Sequence, residues 1–106
     1  MIDPQRGEVW LVDLGFAAKV RPCTVVSVPI MDQDRALATL VPHTTSPRGS
    51  RFEVDFKVRF LKDGVFDTQN LVTIPHAKMI RRLGVLTTEQ MSRIDAVLIS
   101  WLGLPT

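Results

Sequence analysis

The feature of this sequence that most constrains its fold is a strict alternation of apolar and polar side chains over residues 52–60. Phe and Val occupy the even positions, and Glu, Asp, Lys and Arg occupy the odd ones. A period of two places the apolar set on one face of an extended chain. The pattern predicts a half-buried strand, and the Asp63-Gly64 dipeptide that follows predicts a tight hairpin leading out of it.

Shorter segments rich in β-branched and aliphatic residues predict further strands. Gly, Pro or Asp bounds each of them, and they cover residues 8–13, 23–28, 35–41 and 71–74. Residues 75–83 predict a turn followed by one more strand. Because the strands are short and follow one another closely, we expect a largely antiparallel sheet.

Only the end of the chain has the periodicity of an amphipathic helix. Thr87 and Gln90 form a capping-box pattern at its start, and Gly103 marks its end. This helix is expected to lie against the sheet with its apolar stripe buried, Trp101 included. The stripe consists of Met91, Ile94, Leu98, Trp101 and Leu102.

The chain reads as one piece, without repeats, low-complexity tracts or linkers. Its 106 residues are close to the commonest domain size, and 45% of them are apolar. We therefore expect one mainly β domain covering residues 1–106, with the helix packed on its sheet.

Cysteine usage and the absence of long apolar runs bear on location. Cys23 is the single cysteine, and it lies in an apolar strand, where it is expected to be a core residue. The chain begins with polar residues rather than with an apolar secretion signal. No apolar run approaches the roughly 20 residues of a membrane-spanning helix. These observations favour the cytoplasm and argue against a membrane role.

The charge pattern alone leaves the partner open. The net charge of +2 is too small to indicate nucleic-acid binding. Residues 47–62, however, contain five basic and two acidic side chains, a local excess that can meet phosphates or simply form a solvated strand face. No phosphate-binding loop, metal-ligand cluster or nucleophile motif is recognisable, so we expect a reaction without metal or cofactor.

Four blocks spread over nearly the whole chain carry a resemblance to a known family. They are Arg6-Gly7-Glu8-Val9-Trp10, Arg21-Pro22 with residues 23–27, residues 41–54, and Leu83-Gly84-Val85-Leu86 with residues 102–104. Each block is weakly specific, but their order and spacing together are specific. The chain resembles the MazF/PemK toxins of toxin-antitoxin systems.

The resemblance implies a fold, an assembly and an activity. Its fold would be a compact, SH3-like antiparallel β-barrel with a C-terminal helix, assembled as a homodimer and inhibited by a cognate antitoxin. Toxins of this type cut single-stranded RNA without metal, by attack of the ribose 2′-hydroxyl on the adjacent phosphorus. Such chemistry needs a base for the 2′ proton, donors for the phosphoryl oxygens and protonation of the leaving oxygen.

Arg21 matches the arginine that is catalytic in the resembling family. Its planar fork of donors suits a phosphate that gains negative charge, and its high pKa assigns it to charge stabilisation rather than to proton abstraction. Composition alone would explain it equally well as an exposed arginine at a strand start.

Thr44 lies at the spacing from Arg21 where the family carries a catalytic threonine, and Thr45 is its competitor. Adjacent strand residues point to opposite faces, so at most one of the two should face the site. Both can alternatively satisfy turn backbone groups before Ser46. His43 is discounted as a base because a regular strand would point it away from Thr44.

Lys19, Arg48 and Arg51 are expected to contact RNA phosphates, since they are mobile cations on loops that flank the groove. Two departures from the family leave the general base unidentified. Residues 15–20 form a short loop without an acid, and residues 72–75 lack the acid and base found in one branch.

A toxin of another class is the alternative. The same barrel occurs in CcdB-like toxins, which bind a protein and cut nothing, and the missing base favours that hypothesis. A CcdB-like toxin would need an exposed Trp101, whereas the helical stripe predicts a buried one.

Overall fold

The computed structural model describes residues 2–15 and 19–106 as seven strands followed by a C-terminal helix. Two short 3-10 turns, Thr68–Asn70 and His76–Lys78, flank the strand Val72–Pro75. The chain is therefore mainly β, as predicted. The bounds are β1 Glu8–Asp13, β2 Val20–Val25, β3 Leu37–Thr44, β4 Glu53–Val54, β5 Val65–Asp67, β6 Val72–Pro75, β7 Met79–Val85 and α1 Thr88–Leu102.

All the strand pairs are antiparallel within the described residues. The strands follow the order β4-β5-β3-β2-β1-β7, and β6 also pairs with β3. Leu40 of β3 pairs with Val25 on one side and with Val72 on the other. The central position of β3 brings its C-terminal end beside both β2 and β5, where the site lies.

β5 and β6 follow β3 as one interrupted path. His43 pairs with Phe66, and Leu40 pairs with Val72. Three residues of β3 therefore correspond to six residues of the segment that contains β5 and β6. The turn Thr68–Asn70 accounts for the three additional residues. Thr68 anchors it, since its backbone N–H and its hydroxyl both donate to the carbonyl of Phe52, at 3.1 and 2.7 Å.

Two hydrophobic clusters lie on opposite sides of the sheet. Val9 belongs to the cluster beneath α1, and its neighbour Trp10 belongs to the other, because side chains alternate along a strand. The cluster beneath α1 contains Val9, Val41, Val54, Phe66, Leu86, Met91, Ile94 and Leu98. The second cluster contains Trp10, Val12, Cys23, Val25, Ala38, Leu40, Ile74 and Met79.

The helix begins and ends as predicted. Thr87 and Gln90 form both hydrogen bonds of the capping box, and Gly103 adopts the left-handed conformation with φ +65°. Burial of Trp101 was wrongly predicted, since its side chain is 39% exposed. The buried part of the stripe stops at Leu98, and the last turn reaches past the core, where Trp101 packs against Phe52.

The predicted strand over residues 52–60 is largely wrong. Burial alternates as expected from Phe52 to Val58, but strand pairing covers only Glu53–Val54. Beyond it, helix side chains occupy the backbone carbonyls, since Arg93 donates to Asp55 at 3.0 Å and Gln90 donates to Lys57 at 3.2 Å. The segment is thus held by α1 instead of by a neighbouring strand.

The predicted tight hairpin at Asp63-Gly64 is also wrong, because residues 55–64 form a long connection between β4 and β5. Gly64 has another purpose. A Cβ atom there would meet the carbonyl oxygen of Thr44 at 2.2 Å, so only glycine lets the chain approach the end of β3.

The remaining strand predictions differ from the structure mainly at their ends. The strand expected at 23–28 runs from Val20 to Val25, and the one expected at 35–41 runs from Leu37 to Thr44. These shifts place Arg21 inside β2 and Thr44 at the end of β3. Among the described residues, no helix is long and apolar enough to cross a membrane.

Candidate functional site

The first motif block, residues 6–10, makes contacts within the fold. Glu8 accepts hydrogen bonds from the backbone of Gln5 at 2.9 Å, from the indole of Trp10 at 3.0 Å and from Arg82 at 3.1 Å. Burial alone would raise the pKa of Glu8, but these donors outweigh it and lower the pKa below its ordinary value. Glu8 is therefore a buried structural anion.

Arg6 and Gly7 join this block to its surroundings. The Arg6 guanidinium donates to both carboxylate oxygens of Asp95 on α1, at 2.7 and 2.6 Å, and also to the carbonyl of Val26. Gly7 has a φ of +87° and connects Val25 to Leu86 through its backbone. The block thus ties the N-terminus to the sheet and to the helix.

Arg21 and Thr44 lie on neighbouring strands and line one cleft of about 380 Å³, which we call the Arg21–Thr44 cleft. The β2–β3 ladder ends at the pair Cys23 and Pro42, and Arg21 and Thr44 each lie two residues beyond that pair. Residues two apart on a strand share a face, and paired residues of neighbouring strands lie on the same face of the sheet. Arg21 and Thr44 can therefore face the cleft together. Its lining also includes Leu14, Pro42, His43, Ser46, Arg48, Glu53, Asp67, Asn70 and Val72.

The hydroxyl of Thr44 is partly used by the fold. Its oxygen accepts the backbone N–H of Ser46 at 3.1 Å, which is the turn-stabilising role that composition suggested. A hydroxyl that accepts one bond still has its own hydrogen to donate. Thr44 can therefore hold the turn and donate into the cleft simultaneously.

Thr45 lines a different cleft, which we call the Thr45 cleft. This space of about 500 Å³ also borders Lys19, Arg21 and His43. The two threonines thus border different spaces, and Thr45 lies one residue beyond the end of β3. Arg21 borders both clefts, whereas Thr44 belongs to the first.

The three predicted phosphate contacts are distributed unevenly. Arg48 lines the Arg21–Thr44 cleft, and Lys19 lines the Thr45 cleft. Arg51 borders neither, because its guanidinium lies over the ring of Phe52, 4.4 Å from the ring centroid. The structure therefore brings Arg48 to the Arg21–Thr44 pair and leaves Arg51 apart.

His43 is buried and borders both clefts. Its ring meets Phe66 edge-on, with the centroids 5.1 Å apart. Burial lowers the pKa of His43 below its ordinary value, so the imidazole is neutral at neutral pH. This neutral form can accept a proton.

Two carboxylates on the Arg21–Thr44 cleft were missed by sequence reasoning, which counted Glu53 only as a charge. Glu53 and Asp67 are direct cross-strand partners in β4 and β5. Glu53 accepts the backbone N–H groups of Arg48, Gly49 and Ser50, at 2.9, 2.9 and 3.2 Å. Its position in the polar set of the alternating segment was the available signal. The loop judged to lack an acid contains residues 16–18, which lie outside the described residues.

Cys23 is buried in the core and lines neither cleft. Burial raises the pKa of the Cys23 thiol to about 12, so the thiol stays protonated in the core. Across residues 2–15 and 19–106, no three His, Cys, Asp or Glu side chains gather as a potential metal site.

Comparison with known structures supports the fold expected from the resemblance. An endoribonuclease in complex with its cognate antitoxin, from Mycobacterial species, is 28% identical, with a TM-score of 0.82 over 97% of this chain and 98% of that one. A second endoribonuclease from Mycobacterial species is 27% identical, with a TM-score of 0.82 over 100% and 97%. A MazE–MazF structure from Deinococcus radiodurans, at 22% identity and a TM-score of 0.79, covers 99% and 100% and shares the fold.

The sequence itself also matches a described family over nearly its whole length. Residues 5–102 match the family described as PemK-like, MazF-like toxin of type II toxin-antitoxin system. This match includes β1, the Arg21–Thr44 pair and α1. The chain therefore belongs to the PemK-like, MazF-like toxins of type II toxin-antitoxin systems.

Proposed function

We propose that this toxin is a sequence-specific endoribonuclease that cuts single-stranded RNA without a metal ion, and that Arg21 and Thr44 form its catalytic centre. The observation that carries the proposal is their shared cleft, which two neighbouring strands build from residues distant in sequence. Two structures more than a quarter identical to this chain are endoribonucleases, which supports the activity.

The proposed reaction is an internal transfer at phosphorus. The ribose 2′ oxygen bonds to the adjacent phosphorus, and the bond from phosphorus to the 5′ oxygen of the next nucleotide breaks. The 2′ proton passes to a base, and the departing 5′ oxygen takes up a proton. The products are a 2′,3′-cyclic phosphate and a 5′-hydroxyl end.

Arg21 stabilises the charge that builds on the phosphoryl oxygens. Its guanidinium offers several donors in one plane, which can bind two phosphoryl oxygens simultaneously. The Thr44 hydroxyl donates to a phosphoryl oxygen or orients the 2′-hydroxyl while it accepts the N–H of Ser46. Thr45 remains the competing candidate from the neighbouring cleft.

His43 is our candidate for the base. It borders the cleft with Arg21, and its burial keeps it neutral, which is the form that accepts the 2′ proton. If His43 is the base, the cleavage rate of the wild-type protein declines as the pH is lowered through the pKa of His43, which lies below 6.5. His43→Gln should remove that decline. An unchanged pH–rate profile in the variant would exclude His43 from proton transfer.

The flanking cations guide the RNA backbone. Arg48 borders the cleft, Lys19 borders the neighbouring one, and both are exposed side chains that can follow a phosphate. Arg51 acts at longer range, since it stacks on Phe52.

We further propose one domain over residues 1–106 that works in the cytoplasm as a homodimer and is silenced by a cognate antitoxin. Val20, Ile80 and Val85 expose large apolar side chains on β2 and β7, which a second copy can cover. An acidic antitoxin segment would compete with RNA for the Arg21 cleft, because guanidinium groups bind carboxylates as well as phosphates. Competition between an antitoxin peptide and a non-cleavable RNA tests this.

The central experiment incubates the purified protein with a long single-stranded RNA in the presence of a chelator. We expect discrete cuts that leave cyclic phosphate and 5′-hydroxyl ends, with Arg21→Ala inactive under the same conditions. Loss of all cutting in chelator, with restoration by Mg²⁺, would contradict the metal-free mechanism. Equal cutting by the Arg21→Ala protein would remove Arg21 from the centre.

One observation favours the second candidate, a CcdB-like toxin that binds a protein and cuts nothing. Such a toxin requires an accessible Trp101, and the side chain is exposed. The same assay separates the candidates. Growth inhibition that persists in Arg21→Ala and disappears in Trp101→Ala would support protein binding and would exclude RNA cutting as the toxic activity.

A further inference from the structure

A second pocket of about 600 Å³ adjoins the Arg21–Thr44 cleft, and we call it the indole pocket. Gln69 and Trp101 border this pocket only. An RNA strand with a phosphate in the Arg21–Thr44 cleft can therefore place a neighbouring nucleotide in the indole pocket. The residues that border both spaces are Arg48, Glu53, Asp67 and Asn70.

Trp101 gives the pocket an aromatic surface at the end of α1. Its ring is tilted by 59° against Phe52, with the centroids 5.1 Å apart, and much of the indole remains open to solvent. Exposed aromatic rings beside basic grooves hold single-stranded bases by stacking. An indole in this position is thus a surface for one unstacked base.

The polar groups beside the indole have a definite hydrogen-bonding pattern. Asn70 donates its amide N–H to one oxygen of Asp67 at 2.6 Å, and the Gln69 carbonyl oxygen accepts from Ser50 at 3.5 Å. Among the described residues, the second Asp67 oxygen, the Asn70 carbonyl oxygen and the Gln69 amide N–H group have no partner. The pocket therefore offers two acceptors beside amide N–H donors, since the Asn70 amide keeps a second N–H and the Gln69 amide carries two.

This pattern disfavours a phosphate and favours a base. Glu53 and Asp67 border both spaces, but the cleft is lined by Arg21 and Arg48, whereas Arg48 is the one basic residue among those described that lines the pocket, so a phosphate is favoured in the cleft over the pocket. The Watson–Crick edge of guanine presents two N–H donors and one carbonyl acceptor, which complements the free groups. Uracil presents two carbonyl oxygens and one N–H group, so it would set oxygen against the carboxylate.

We propose that the indole pocket binds one guanine base of the RNA, stacked on Trp101 and read by Asp67, Gln69 and Asn70. This assignment rests on the proposed RNA-cutting function, and it gives that function a base preference beside the cut. The pocket thereby selects the sequence, while the Arg21–Thr44 cleft acts on the phosphate.

Binding to RNA that cannot be cut tests the assignment separately from activity. The two probes are seven-residue 2′-O-methyl RNAs, one all-uridine and one with a single central guanosine, because 2′-O-methyl groups block attack at phosphorus. We expect the guanosine probe to bind about tenfold more tightly or better, the range for a well-paired base contact. Trp101 fluorescence should fall on binding.

Three variants locate the effect. Asp67→Asn should reduce the preference for guanosine to within about twofold, because the carboxylate acceptor is lost. Trp101→Phe keeps an aromatic ring for packing and stacking but should abolish the fluorescence response, since the other tryptophan, Trp10, is buried. Leu102→Ala is the matched control, an exposed residue at the same helix end that borders neither space.

The outcomes separate the two proposals. Equal affinity for both probes, or a guanosine preference that survives Asp67→Asn, overturns the guanine assignment. A fluorescence response that persists in Trp101→Phe overturns stacking on Trp101. Guanosine preference without cleavage of long RNA overturns the proposed function alone, whereas cleavage with no preference overturns only the pocket assignment.

Discussion

Residues 6–10 and the Arg21–Thr44 pair both belong to the sequence pattern of the family, yet the fold treats them differently. Arg6 binds both oxygens of Asp95, and Glu8 is surrounded by three donors from its own chain. Arg21 and Thr44 instead face an open cleft, and the Thr44 hydroxyl keeps a hydrogen to donate. The side chains of the first stretch make hydrogen bonds within the fold, whereas Arg21 and Thr44 line a cleft that a ligand can enter.

The difference shows how to interpret charged motif residues. Arg6 and Arg21 look alike in sequence, since each precedes a residue with special backbone geometry, the permissive Gly7 or the rigid Pro22. What distinguishes them is the surface around the guanidinium, since Arg6 binds Asp95 on α1 and Arg21 lines the Arg21–Thr44 cleft. We therefore expect substitutions in residues 6–10 to change stability, and substitutions in the cleft to change activity.

Arg21→Ala should have the largest effect. Removing one group that stabilises transition-state charge commonly lowers the rate by about 10² to 10³. Single-turnover cleavage of a defined RNA measures the loss, and thermal unfolding of the same sample checks that the variant is folded. A folded Arg21→Ala protein that cleaves at the wild-type rate would contradict the assignment of Arg21 to activity.

Glu8→Gln should destabilise the fold by about 2 kcal/mol, since it weakens hydrogen bonds to a buried charged group. The lowered pKa of Glu8 means that its contribution is present above the ordinary value of 4.5 and is lost as the pH falls through the folded-state pKa. Urea unfolding between pH 7 and pH 3 measures both effects. The variant's stability should depend less on pH over this acidic range, and a steeper dependence would contradict the assignment.

Arg6→Ala is the counterpart of the Arg21 variant and should cost about 1 kcal/mol of stability, because the ion pair with Asp95 is partly exposed. Cleavage per folded molecule should stay at the wild-type level. Asp95→Asn serves as the control, since it removes the same ion pair from the helix side. If Arg6→Ala abolished cleavage without loss of stability, residues 6–10 would have to be assigned to the site.

The smallest expected effect concerns His43. Because burial lowers its pKa below 6.5, the unfolded chain binds more protons as the pH falls below that value, and the folded state loses stability. The loss should be less than about 1 kcal/mol between pH 6.5 and pH 6. His43→Gln should flatten this part of the stability curve, and an identical curve in the variant would show that the imidazole is not desolvated.

The parts of the fold that sequence predicted well depend on local interactions. The strand at residues 8–13 has the predicted bounds, and the capping box at Thr87 forms as predicted, because backbone periodicity and neighbouring side chains determine both. The alternation over residues 52–60 predicted which side chains are buried. It could not predict that Gln90 and Arg93 would take the carbonyls that a strand partner needs.

Sequence likewise predicted some residues of the candidate site and missed others. The spacing of Arg21 and Thr44 matched the family, and the β2–β3 register explains why that spacing brings them together. Glu53 and Asp67 could not be placed from sequence, since their meeting depends on the long connection between β4 and β5. Trp101 was misplaced because periodicity does not show where the core ends.

The turn Thr68–Asn70 has a consequence for how such a toxin can diversify. Thr68 alone fixes it to the carbonyl of Phe52, and strand pairing resumes at Val72 in unchanged antiparallel order. The side chains of Gln69 and Asn70 support no strand pairing and no part of the hydrophobic core. Mutations at these two positions should carry little folding penalty, so under the proposed base contact they would change the RNA target while the scaffold stays the same.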